Sequence, residues 1–147
     1  MIRDLVILPW RERWREYACE AIGLALFMCS ASLFAVLLFG EGGLGRIIPS
    51  PDLRRDLMGL AMGTTAVALI RSPLGVRSGA HLNPAVTLTF YRLGKVKRED
   101  VAGYIVAQFA GGLAGTGLAV LLFRPWIGDP SVNYVATLPG PWGLGVA

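Results

Sequence analysis

The sequence predicts an all-α membrane protein with three spanning helices and one shorter re-entrant helix. Three observations carry this. First, the chain has 147 residues, 54% hydrophobic and only 16% charged, with a mean hydropathy of +0.54. Soluble domains carry about 25% charged residues, so the surface suits lipid. Second, three apolar runs at residues 17–39, 57–76 and 101–123 are long enough to approach or exceed the thickness of a bilayer core. Third, a string of small and apolar residues at 78–87 holds a helix-start signal at its centre.

The elements follow in order. Residues 1–16 form a polar lead with Arg3, Arg11, Arg13 and Arg15. Trp10, Trp14 and Tyr17 precede the first apolar run as an interfacial aromatic belt. The run 17–39 has 23 residues and one charge, Glu20. As a helix it measures about 35 Å, against a hydrocarbon core of about 30 Å. It follows a charged segment and has no convincing cleavage site, so it reads as a retained span. Its two cysteines, Cys19 and Cys29, would lie about 15 Å apart on one helix, too far for a disulfide; both read as packing residues.

A loop rich in Gly, Pro and charge leads to the second span, 57–76, where Gly59 and Gly63 form a small-xxx-small pair suited to close helix approach. Pro73 and Gly75 break its end. The third span, 101–123, carries Gly111, Gly112, Gly115 and Gly117, read as a small-residue packing face. Lys and Arg bias sets the orientation. Nine lie in the lead and between spans two and three, against four on the other side (Arg46, Arg54, Arg55 and Arg124). The N-terminus is therefore expected in the cytoplasm and residues 124–147 outside it. The net charge of +4 clusters between apolar runs, which fits membrane topology better than nucleic-acid binding. No cofactor or metal spacing is visible, and no nucleophile, base and orienter constellation suggests an enzyme.

The string 78–87 carries the chemistry. Asn83 is a good N-cap and Pro84 suits the first helical position, so a short helix is expected at 84–93 with Gly94 as its terminator. Ten helical residues cover about 15 Å, half a bilayer. The preceding stretch, with Gly79 and Ala80, reads as extended backbone. At membrane depth such backbone survives only inside protein or beside a water-filled cavity. A cytoplasmic loop bearing an amphipathic helix would show the same caps.

This string, Ser-Gly-Ala-His-Leu-Asn-Pro-Ala-Val-Thr, resembles the first signature loop of the aquaporin (major intrinsic protein) family, marked by Asn83-Pro84-Ala85. Glu20 in span one, and Tyr104, Gln108 and Gly112 in span three, are spaced as in that family; residues 131–137 are similar to the corresponding loop of bacterial members. The resemblance covers nearly the whole chain. It implies half of an inverted repeat, and a channel for water or small neutral solutes such as glycerol in the cell membrane. By that resemblance, Asn83 offers an amide donor to the passing solute. The carbonyls of Gly79, Ala80, His81 and Leu82 form an acceptor ladder, and His81 lines the cytoplasmic mouth. Glu20 and Gln108 brace the loop, although a snorkelling carboxylate and a plain interhelical hydrogen bond are the respective alternatives. The constriction residue of span two falls on Met62 or Gly63, neither of them aromatic. The family's second Asn-Pro-Ala and constriction arginine are not in the sequence, so conduction is expected to need a second half, with a homo-oligomer, by family habit a tetramer, as the assembly. The contrasting expectation is a non-conducting membrane interaction subunit or an inactive fragment.

Overall fold

A computed structural model describes residues 2–136, with side chains from residue 11 onwards. The side chains of Arg3 and Trp10, residue 137 and the apolar segment 143–147 lie outside what is described. Five α-helices follow in order: α1 (Ile2–Phe39), α2 (Pro51–Arg71), α3 (Pro73–Ser78), α4 (Pro84–Arg92) and α5 (Arg98–Leu122). Short 3₁₀ turns occupy Leu44–Arg46, Trp126–Gly128 and Asn133–Val135.

Two of the described helical stretches are long and apolar enough to cross a membrane, one in α1 from Arg11 onward and one in α5. Their outward residues are apolar, with Leu113 75% and Phe109 63% exposed, while Glu20, Ser78, His81, Thr87, Asp100 and Gln108 are buried. That inversion of the soluble pattern is what a lipid-facing fold with a polar interior requires.

The arginine-rich lead is itself helical, and within Ile2–Phe39 it meets the first apolar stretch across a kink at Arg13 (φ −115°, ψ 17°). The helix break expected at Pro73 is present: α2 stops at Arg71 and α3 starts at Pro73. Ser72 is extended there, and its hydroxyl accepts from the Gly75 amide. Proline removes a helical donor and biases the residue before it to extended backbone, which is the reason for the break. Gly75 is needed at the corner, since a Cβ would strike the carbonyls of Leu69 and Ile70.

One expectation is corrected, the extent of the glycine face. The surface of α5 that meets α1 is the i, i+4 stripe of Gly103, Ala107, Gly111, Gly115 and Ala119, all buried. Cβ atoms at Gly111 and Gly115 would meet the backbone of Ala21 and Ala25. Gly117 has open space and Gly112 only an ordinary contact with Leu24. Gly59 and Gly63 on α2 also have open space around them. Cys29 packs at the α1–α5 seam, its thiol donating to the Gly115 carbonyl at 3.3 Å, and both cysteines are free.

Each end of the α1–α5 pair is clamped. At the N-terminal end of α5, Asp100 is buried and binds two residues of α1: Arg13 Nη1 at 3.1 Å and the Tyr17 hydroxyl at 2.9 Å. The salt bridge ties down the turn where α1 kinks. At the other end, Asp129 accepts from the Glu41 amide at 3.0 Å and the Ser131 amide at 2.9 Å. The Ser131 hydroxyl and both amides hold the Asp129 carboxyl below its ordinary range.

Candidate functional site

The site is built outward from α4. Asn83 is extended (φ −162°, ψ 130°), and its Oδ1 accepts from the Ala85 amide at 2.8 Å. Pro84 occupies the first turn, where no donor is needed. The helix ends at Arg92 and closes through Gly94 (φ 69°). The Gly94 amide donates to the Tyr91 carbonyl and the Lys95 amide to the Phe90 carbonyl, both terminator bonds of a Schellman motif. With Oδ1 committed to Ala85, the Asn83 Nδ2 donors have no partner among the described residues, and the side chain is exposed at the positive end of α4.

The segment before Asn83 is not extended. Gly79 (φ 89°), Ala80 (φ 47°) and Leu82 (φ 49°) are left-handed. For the two non-glycine residues this costs about 1–2 kcal/mol each, and such strain persists only where the surroundings over-determine it. Three clamps do so here. The Ala80 amide donates to the Ser78 hydroxyl at 3.1 Å, the Tyr104 hydroxyl donates to the Ser78 carbonyl at 2.7 Å, and the Leu82 amide donates to Glu20 Oε1. The Leu82 side chain enters a space left by Gly23, whose missing Cβ would lie 3.0 Å from Leu82 Cδ2. The backbone carbonyls of Gly79, Ala80, His81 and Leu82 receive no hydrogen bond from the described residues.

Behind the loop lies one buried polar network. Gln108 Nε2 donates to Glu20 Oε1 and to Thr87 Oγ1, each at 2.9 Å. Thr87 Oγ1 also pairs with His81 Nδ1 at 3.0 Å. Glu20 and Thr87 are fully buried and Gln108 is 1% exposed. The network therefore connects α1, the loop, α4 and α5, and includes the two residues expected to brace the loop. The His81 ring is buried, stacked on Tyr104 (centroids 4.5 Å apart) and edge-on to Phe90 (5.0 Å). His81 also lines a cavity together with Arg77, Lys95 and Lys97. Met62 is half-buried and Gly63 exposed on α2, and neither joins this network.

Sequence reasoning missed Thr87, Asp100, Tyr17 and Gly23. Thr87 lies four residues after Asn83, one turn along α4, and a polar residue there was a readable signal. Asp100 is a carboxylate at the start of a span, the pattern that had drawn attention to Glu20. Thr87→Val keeps the shape and removes both side-chain partnerships. It is expected to cost about 2 kcal/mol by leaving one of the two Gln108 Nε2 hydrogens and His81 Nδ1 without a partner, seen as a lower thermal midpoint in detergent, with Thr87→Ser recovering most of it. Equal midpoints for Thr87→Val and wild type would show that the hydroxyl is not the hub.

The family model described as major intrinsic protein matches residues 9–138. The aquaglyceroporin AqpS of Rhizobium meliloti (strain 1021) is 36% identical over 129 residues, covering 87% of this chain and 52% of that protein. The lens fiber major intrinsic protein of Gallus gallus is 34% identical over 107 residues (71% and 36%), and the probable aquaporin AqpM of Archaeoglobus fulgidus is 40% identical over 91 residues (60% and 35%). The chain spans about half or less of the length of these curated relatives. No solved structure matches it. The family match over most of the chain, together with an Asn-Pro-Ala half-helix braced from two apolar helices, establishes that the chain belongs to the major intrinsic protein family.

Proposed function

We propose that the chain forms one half of a transmembrane pore for water or small neutral solutes such as glycerol, completed by a second half that supplies the other Asn-Pro-Ala helix. The observation that carries this is Asn83: an exposed N-cap whose Oδ1 is occupied by the Ala85 amide, leaving its Nδ2 donors free beside four carbonyls without donors. A solute moving along such a face exchanges water hydrogen bonds for one donor and successive acceptors. The half-helix contributes roughly +0.5 charge near Asn83, which disfavours cations. Glu20, Gln108, Thr87 and Tyr104 hold the loop and do not touch the solute. On this reading residues 1–16 are cytoplasmic, 124–147 lie outside, and Met62 or Gly63 offers a wide constriction. Names among the relatives support both water and glycerol-type solutes.

The test is solute flux in proteoliposomes with the chain alone and with the chain joined to a second inverted half. Conduction only in the joined form is expected. In that form Asn83→Asp places a carboxylate at the helix start and should raise cation leak about tenfold, the equivalent of 1–2 kcal/mol at a helix terminus. Unchanged ion exclusion and unchanged water flux would remove Asn83 from the pore. Lipid leak alone from every form would favour a non-conducting subunit.

A further inference from the structure

Beside the start of the re-entrant loop lies a cavity of about 360 Å³ where four parts of the chain converge. Arg13 comes from α1, Arg77 from α3, Lys95 and Lys97 from the turn between α4 and α5, and His81 and Tyr104 also line it. The carboxylate on this cavity, Asp100, is buried and already bound on both oxygens, by Arg13 and by the Tyr17 hydroxyl. Arg77, Lys95 and Lys97 are exposed and make no ion pair among the described residues; Lys95 Nζ lies 5.8 Å from the Phe90 ring. Three cations therefore face one concavity without counter-charge.

Topology explains why cations lie on this side of the membrane, but not why they surround a cavity. Like charges around one hollow repel each other unless an anion joins them, and the volume is that of a small-ligand site. We propose that this cavity binds a phosphate group, carried by the headgroup of an anionic lipid or by free inorganic phosphate. Trp14, 55% exposed and adjacent to Arg13, fits the headgroup depth of a bilayer, which favours the lipid source. A bound phosphate bridges Arg77 to Lys95 and Lys97 and so links the residues before and after the re-entrant segment. The binding does not depend on whether the chain conducts.

The experiment uses the purified full chain in phosphatidylcholine nanodiscs, with phosphatidylglycerol or inorganic phosphate added in separate arms and the thermal midpoint followed by titration. Protection by phosphatidylglycerol with none from phosphate is expected and identifies a headgroup site; protection by phosphate as well supports the same site with a soluble source. Each of Arg77→Gln, Lys95→Gln and Lys97→Gln should weaken binding about fivefold, and added salt should weaken it further. Arg124→Gln, which does not line this cavity, should leave binding unchanged. No protection by either probe, or equal losses in Arg124→Gln and the cavity variants, overturns the proposal. The single variants are used because each should match the wild-type midpoint in phosphatidylcholine alone; Lys95→Arg should retain binding and separates charge from side-chain shape.

Discussion

Glu20→Ala is expected to destabilise the protein by about 3 kcal/mol or more, while Glu20→Gln costs about 1 kcal/mol or less. The difference follows from which oxygen works. Oε1 accepts from both the Leu82 amide and Gln108 Nε2, whereas Oε2 is buried with no partner among the described residues. Glutamine keeps a carbonyl oxygen in the Oε1 place and removes a charge that is costly to bury. Alanine leaves the Leu82 amide and one Gln108 Nε2 hydrogen without a partner, at about 1–3 kcal/mol each, and opens a cavity between α1 and the loop. The consequence reaches the site, because the Leu82 amide is the clamp nearest Asn83. Without it the left-handed Leu82 loses its restraint, and Asn83 with it. The measurement is the thermal midpoint in detergent, together with the yield of membrane-inserted protein for wild type, Glu20→Gln and Glu20→Ala. Equal behaviour of the Gln and Ala variants would show that hydrogen bonding through Oε1 is not what holds the loop.

The contrast between Asn83 and His81 shows what sequence makes readable. The short helix α4 is specified by signals within twelve residues: a side-chain cap at Asn83, proline at 84 and a left-handed glycine at 94. Each acts on its own backbone, so the expected 84–93 helix and the observed Pro84–Arg92 agree closely. The direction of the His81 ring depends instead on left-handed backbone at Ala80 and Leu82. Neither residue prefers that conformation. It is imposed by Glu20, 62 positions away from Leu82 in sequence, and by Tyr104 through Ser78. An expectation of extended backbone was reasonable for the string and wrong for the fold. The same limit hid the Arg13–Asp100–Tyr17 clamp, whose partners come from two different spans. Glu20 and Gln108 are legible because a carboxylate or amide inside an apolar run must find a partner; Thr87, which joins Gln108 to His81, gives no such signal because it lies in the short helix, where a threonine can bond its own backbone.

Gly111→Leu is expected to be the most damaging single change on α5, costing about 3 kcal/mol or more and leaving little assembled protein. Overpacking a tight core ordinarily costs about 1–3 kcal/mol when side chains can shift. Here the obstacle is the backbone of Ala21, which cannot rotate away, so α1 and α5 must separate. Glu20 precedes Ala21, and Gln108 lies one turn before Gly111. Separation therefore pulls Gln108 Nε2 from Glu20 Oε1 and undoes the loop network along with the helix seam. Gly111→Ala should already be harmful, as should Gly115→Ala, whose Cβ would lie 2.5 Å from the Ala25 carbonyl oxygen. Gly117→Ala provides the control on the same helix. With nothing within 4 Å of its Cβ, it should be neutral or stabilising by up to about 1 kcal/mol, the helix-propensity difference between the residues. Monodisperse yield and thermal midpoint in detergent distinguish the two faces. If Gly111→Leu and Gly117→Leu behaved alike, close contact along Gly103, Ala107, Gly111, Gly115 and Ala119 would not be what positions Glu20 against the re-entrant loop.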